Sequence, residues 1–176
     1  PGAITHIGNI GTATTKTSGT SLVITTDQAV AAGDTIIVGY ATDPAQNLVV
    51  TVTDSEGKLT NKQRWLLLGQ WPLLIFYAYA QNPLPAGSTI TITASAQVTA
   101  RAAVVSVFRG LAEEDPLDQT STGFGSDATP SSGPTATTTE AGELLIGAIG
   151  TEGPDGDTAG TWGDSFTAGP RLGTTG

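Results

Sequence analysis

The segment Ser88–Val98, STITITASAQV, alternates with period two: Ile90 and Ile92 fall on one side and Thr89, Thr91 and Thr93 on the other. In an extended chain successive side chains point to opposite faces, so this is a strand with one dry and one wet face. The same reading applies to Ser21–Thr26, Asp34–Thr42 and Asn47–Ser55, which are rich in β-branched residues and separated by turn chemistry such as AAGD and ATDPAQN. Arg101–Gly110 and Gly142–Gly150 read as further strands, the second as buried. No window of eleven or more residues carries helical periodicity, and abundant Thr, Val and Gly oppose helix as well. Short strands at regular spacing, without helices, predict an all-β protein: an antiparallel two-sheet β-sandwich of jelly-roll type.

The run RWLLLGQWPLLIFYAYAQ, Arg64–Gln81, departs from this alternation. From Trp65 to Ala80 it is too short for a comfortable membrane helix, and Gly69, Gln70 and Pro72 interrupt it, so no membrane insertion is expected. It divides at GQWP into two strands, RWLLLG and LLIFYAYAQ. In the second, Leu73, Ile75, Tyr77 and Tyr79 share one face while Leu74, Phe76, Ala78 and Ala80 share the other. Both faces are apolar, whereas a strand of a simple sandwich has one wet face. Either a loop of the same chain or another subunit covers the second face, and Leu73, Ile75, Tyr77 and Tyr79 are the candidate subunit-contact residues. The Pro-, Ser- and Thr-rich stretch 110–141 is expected to be a long loop with one short edge strand near Pro134–Thr139, and is the candidate cover from within.

The 176 residues suit one domain, divided here into an extended segment 1–17 and a sandwich 18–176. With no cysteine, disulfides and thiolate chemistry are excluded. The net charge of −9 opposes nucleic acid and anionic membrane as partners. Lys58, Lys62 and Arg64 form a basic trio that reads as a solvated loop or edge strand. There is no signal-peptide pattern at the start, and Pro1 in place of Met reads as processing, a trimmed chain or a lost initiator.

Chemistry is sparse. His6 is the sole histidine, no GxSxG or phosphate-binding Gly loop occurs, and the carboxylates fall in turns, so an enzyme is not expected and no cofactor is called for. Calcium is the candidate cation, because Glu152, Asp155 and Asp157 in EGPDGDT cluster oxygen ligands in a Gly-rich loop; Glu113, Glu114, Asp115 and Asp118 are a second acidic turn. Trp71 and Trp162 are the candidate carbohydrate-stacking residues. For both sets the ordinary alternative, solvated acidic turns or packed aromatics, stands beside the functional one.

The stretches HIGNIGTATTKTSGTSLVITT, AAGDTIIVGYATD, LPAGSTITITASAQVTARAAVVSVFRG and DQTSTGFGSDATPSSGPTATTTEAGELLIGAIG together resemble a group of uncharacterised bacterial and phage β-sandwich modules of jelly-roll, lectin-like or concanavalin-like appearance. The resemblance implies a fold and an extracellular or cell-surface setting, and supplies no catalytic residues. Such modules continue past a GTTG-like segment into a further strand, which this sequence does not contain. A sandwich short of a strand exposes an edge that a neighbour can fill. Ala3–Thr17, with Ile4, Ile7 and Ile10, is the candidate donor, with its role as first strand of its own sandwich as the alternative. The expected function is therefore a structural subunit of a self-assembling surface polymer, a homo-oligomer or filament joined by strand exchange and apolar sheet contacts. The alternatives are a glycan-binding module assisted by calcium and a phage or virion surface protein.

Overall fold

The computed structural model describes residues 2–43, 48–57, 73–126, 128–151, 162–163 and 166–174. It is an all-β, antiparallel two-sheet sandwich. Its strands are β1 (Thr5–Thr15), β2 (Gly19–Thr25), β3 (Asp34–Asp43), β4 (Val50–Asp54), β5 (Leu73–Tyr79), β6 (Thr89–Val98) and β7 (Ala100–Arg109). One sheet has the order β1-β7-β3-β5 and the other β2-β6-β4, so the chain changes sheet at every connection. The pairs nest: β1 lies against β7, β2 against β6 and β3 against β5.

Alternation explains the layering. In β6, Ile90, Ile92 and Ala94 are buried and Thr91 and Thr93 face outward, as the sequence pattern predicts. Opposite them in the three-stranded sheet are Leu22 and Ile24 of β2 and Val50 and Val52 of β4. The facing sheet contributes Ile36, Val38 and Tyr40 from β3, Leu74 and Phe76 from β5, and Ala103, Val105 and Val107 from β7. A fully buried residue such as Ile24 or Ile92 contributes about 2–3 kcal/mol of hydrophobic stabilisation.

Close backbone approach fixes the corner where β1 meets β2. A Cβ at Gly11 would sit 2.6 Å from Ile24 Cγ2 and 2.9 Å from the Thr25 carbonyl oxygen, so a side chain there would prise the sheets apart. At the far end of β1, Gly110 follows β7 with φ 92° and lies against the Ala3 carbonyl. Glycine adopts that left-handed conformation without penalty.

Two sequence expectations are corrected. Gly142–Gly150 is not a strand, and Leu145, Ile146 and Ile149 are exposed at 62%, 40% and 49%. The inner faces of the seven strands among the described residues already supply a packed core between the sheets, and Gly142, Gly147 and Gly150 weaken any strand through this stretch. Pro134–Thr139 likewise carries no strand. The expected strand RWLLLG at 64–69 lies outside the described residues.

Candidate functional site

Within residues 3–17, Thr5–Thr15 is the first strand of this chain's own sandwich. β1 pairs antiparallel with β7 from Thr5↔Arg109 to Thr15↔Arg101, with two register shifts near Gly8 and Gly11. Ile10 is accordingly 1% exposed in the core, Ile7 faces solvent and Ile4 is half-buried. On the outer side of this pair, His6 stacks on Phe108 at 4.8 Å and the Ser106 hydroxyl donates to Asn9 Oδ1 at 2.6 Å.

The outer face of the four-stranded sheet is the feature that sets this molecule apart. Parity sends Leu73, Ile75, Tyr77 and Tyr79 outward from β5, beside Ile37, Gly39 and Ala41 of β3 and Ala102 and Val104 of β7. All of these are half-buried. Their partial cover comes from the chain after β7. Residues 112–116 run past Thr35, Tyr77 and Tyr79, and Gly150 sits so close that an added Cβ would lie 3.6 Å from Leu73 Cβ and 3.9 Å from Ala41 Cβ. Cover from within therefore reaches both ends of β5 without burying its outer residues completely.

Where residues 112–116 cross the sheet they leave a cleft of about 20 Å³. It is lined by Thr35 of β3, Tyr77 and Tyr79 of β5, Gln81 just beyond β5, and Ala112, Glu113, Glu114 and Pro116. Thr35 is 2% exposed and its Oγ1 has no hydrogen-bond partner among the described residues. Asp115 holds a left-handed φ of 42°, a conformation uncommon outside glycine but tolerated by Asp, and this bends the crossing segment. Sequence reasoning placed Tyr77 and Tyr79 on the right face but did not bring Thr35, Gln81 and Glu113 to them, because the grouping depends on sheet order.

Next to the cleft, Asp34 is buried and receives two hydrogen bonds from the Arg109 guanidinium, 2.7 Å to Oδ1 and 3.0 Å to Oδ2, plus one from the Ala31 amide. That carboxylate holds the guanidinium above its ordinary value. A bidentate pair of this kind is a clamp between β3 and β7.

A second polar group lies inside the sandwich. Arg101 is 4% exposed and donates to the backbone carbonyls of Thr17, Gly19 and Val98, tying the β1–β2 and β6–β7 corners together. Among the described residues its Nε, the Tyr40 hydroxyl and the Thr42 Oγ1 have no hydrogen-bond partner of good geometry. Burial pushes the Tyr40 hydroxyl up, while nearby Thr42 and Arg101 pull the other way. Arg101 shares parity with Ala103, Val105 and Val107, so its inward direction was present in the sequence as a signal that went unused.

The other expected sites are dispersed. Trp162 is 38% exposed, tilted against Phe166 at 6.0 Å and close to Gly147. Trp71, Glu152, Asp155 and Asp157 lie outside the described residues, as do Lys58, Lys62 and Arg64. Glu113 and Glu114 border the cleft, whereas Asp118 is drawn to Thr139, whose amide donates to its Oδ2 at 2.6 Å and lowers its pKa. Among the described residues no group of three or more His, Cys, Asp or Glu is placed to hold a metal ion, and no helix is long and apolar enough to cross a membrane. Comparison with protein-family models, curated proteins and solved structures finds no match for this chain.

Proposed function

We propose that this chain is a non-enzymatic structural module that associates with copies of itself through the outer face of its four-stranded sheet, in an extracellular or cell-surface setting. The observation that carries the reading is the half-buried apolar strip formed by Leu73, Ile75, Ile37, Ala41 and Val104. The other sheet turns Ser21, Thr25, Thr51 and Thr53 to solvent, with Val23 its one exposed aliphatic residue in β2 and β4. A continuous apolar strip on a β-sheet is contact surface rather than solvent surface. The nested pairing of β1 with β7, β2 with β6 and β3 with β5 supports the jelly-roll form of the sandwich.

Strand exchange, the other route to assembly expected from the sequence, has less support. β1 already makes its ladder with β7 in the same chain, so a neighbour's β1 takes that place beside β7 only by displacing it. Surface contact through β5 and β3 needs no such displacement. The test is sedimentation velocity across a concentration series, with negative-stain imaging of the largest species. Association that grows with concentration and is lost in Ile75→Lys, with an unchanged circular dichroism spectrum, supports the reading. A wild-type protein that stays monomeric throughout overturns it.

A glycan-binding reading rests on Trp162, exposed beside Phe166. Glycan-array binding that disappears in Trp162→Ala would replace the first reading with this one.

A further inference from the structure

We propose that the chain after β7 is an autoinhibitory strap: it competes with a second copy of this chain for the outer face of the four-stranded sheet, so self-association requires the strap to lift. The inference rests on the self-association reading above and adds a control built into the same chain. The strap meets the face at two places. Residues 112–116 border the cleft beside Thr35, Tyr77 and Tyr79, and a Cβ at Gly150 would lie 3.6 Å from Leu73 Cβ and 3.9 Å from Ala41 Cβ. Along β5, Ile75 lies between these two contacts.

Steric exclusion makes the two occupants alternatives. Sheets packed face to face stand about 10 Å apart, a gap filled by one layer of side chains from each. The backbone at Gly150, within van der Waals reach of Leu73 and Ala41, takes up the layer that a partner's side chains would fill. Strap and partner sheet therefore cannot share that end of the strip.

Lifting the strap costs little structure. The described residues 111–126 and 128–151 belong to neither sheet, so no ladder breaks. Hydrogen bonds from the Ser121 hydroxyl to the Ser132 carbonyl and from the Thr139 amide to Asp118 tie the strap to itself and move with it. Its large aliphatic side chains do not hold it down either, since Leu145, Ile146 and Ile149 are exposed. A segment with few buried apolar contacts opens at the low end of a protein's local stability range. Beneath it, Leu73, Ile75 and Ile37 stay half-buried and gain further cover only from another molecule.

The chain contains no cysteine, so an engineered pair has a single partner choice. Both Cβ separations at Gly150 fall within the range of about 3.5–4.5 Å that a disulfide spans. Ala41→Cys combined with Gly150→Cys keeps Leu73 and Ile75 in place. Oxidation at high dilution locks the strap down, and reductant frees it in the same molecule. Sedimentation velocity then compares wild type, the reduced pair and the oxidised pair over one concentration series. Wild type and the reduced pair should associate, and oxidation should raise the midpoint concentration about tenfold or more. Gly150→Asp sets a carboxylate against Leu73 and Ala41, which loosens the strap. It should lower the midpoint about threefold with an unchanged circular dichroism spectrum. A pair that does not oxidise within one chain overturns the placement of the strap on the face. An oxidised pair that associates as the reduced one does, or a Gly150→Asp protein with an unchanged or raised midpoint, overturns the competition. Self-association through this face then still stands if Ile75→Lys abolishes it. A wild type that never associates removes both readings together.

Discussion

The outer faces of the two sheets contrast sharply. On the three-stranded sheet, β4 exposes Thr51 and Thr53, and β2 exposes Ser21, Val23 and Thr25, so the face is mostly hydroxyl-bearing, with a single valine among them open to water. On the four-stranded sheet the equivalent positions are Ile37, Ala41, Leu73, Ile75 and Val104, half-buried and crossed by the chain after β7. The two sheets share one core, so the difference is not about folding the sandwich. Threonine satisfies strand propensity and solvent together, and water requires nothing more of an outer face. An isoleucine at such a position gains only when something covers it.

The contrast between a core position and a wet outer position of the same strand gives the largest expected effect. Ile92→Ala should cost about 3 kcal/mol in urea-unfolding free energy, since Ile92 is fully buried. Thr93→Ala, one residue on and exposed, should stay within about 0.5 kcal/mol. Similar costs for both would mean that the wet face is not wet.

The four-stranded sheet should break that rule. Ile75→Thr, an outward position on β5, is expected to cost about 1 kcal/mol in the monomer, between the two values for β6, because residues around it already give partial cover. A cost near zero would mean that the cover seen here contributes nothing and that the strip is solvent-facing.

How much of this was legible follows the range of the physical signal. β6 was legible because Ile–Thr alternation is written within one strand, and the two-faced apolar character of β5 was legible for the same reason. Sheet order was not, since β3 lies between β5 and β7 only through pairings whose partners are tens of residues apart. The cleft inherits that difficulty: Thr35, Tyr79 and Glu113 meet only after β3, β5 and the end of β7 have docked. Leu145, Ile146 and Ile149 misled for a different reason. Apolar composition states a wish for burial without naming a partner, and the described strands already supply the sandwich core. Ile4, Ile7 and Ile10 illustrate the limit of listing residues by type: one strand sends them to three different degrees of burial.

Polar atoms in the interior test the other side of the comparison, the shared core. Tyr40 is 1% exposed, and among the described residues its hydroxyl, near Thr42 and Arg101, has no hydrogen-bond partner of good geometry. Tyr40→Phe should therefore gain about 0.5 kcal/mol, read as a higher urea midpoint with an unchanged slope. A loss instead would show that the hydroxyl is part of the polar group that Arg101 anchors, and that the core is organised around that group rather than merely tolerating it.

The smallest effect concerns the chain between residues 112–116 and Gly150, the two places where it meets the apolar face. Asp118 and Glu143 lie close together, and their ionisations diverge. The amide of Thr139 holds Asp118 below its ordinary value, while partial desolvation and then the neighbouring Asp118 raise Glu143. The depressed group stabilises the segment above the ordinary carboxylate range, and this is lost as pH falls through its lowered value. The raised group stabilises it below the ordinary range, and this is lost as pH rises through its raised value. The tie is thus strongest in mild acid, where Glu143 carries a proton and Asp118 does not, and it loosens toward neutral pH. Glu143→Gln cannot ionise, yet it can donate an amide hydrogen to Asp118 and still accept from the Glu140 amide as Glu143 does at 3.2 Å. Amide exchange at Thr139 and Glu140 should accelerate between mild acid and neutrality in the native protein, beyond the intrinsic pH dependence, and lose that excess in Glu143→Gln. Equal profiles would show that this stretch, which joins the two places where the chain meets the four-stranded sheet, is not held by the Asp118–Glu143 pair, and would leave hydrophobicity as the difference between the two outer faces.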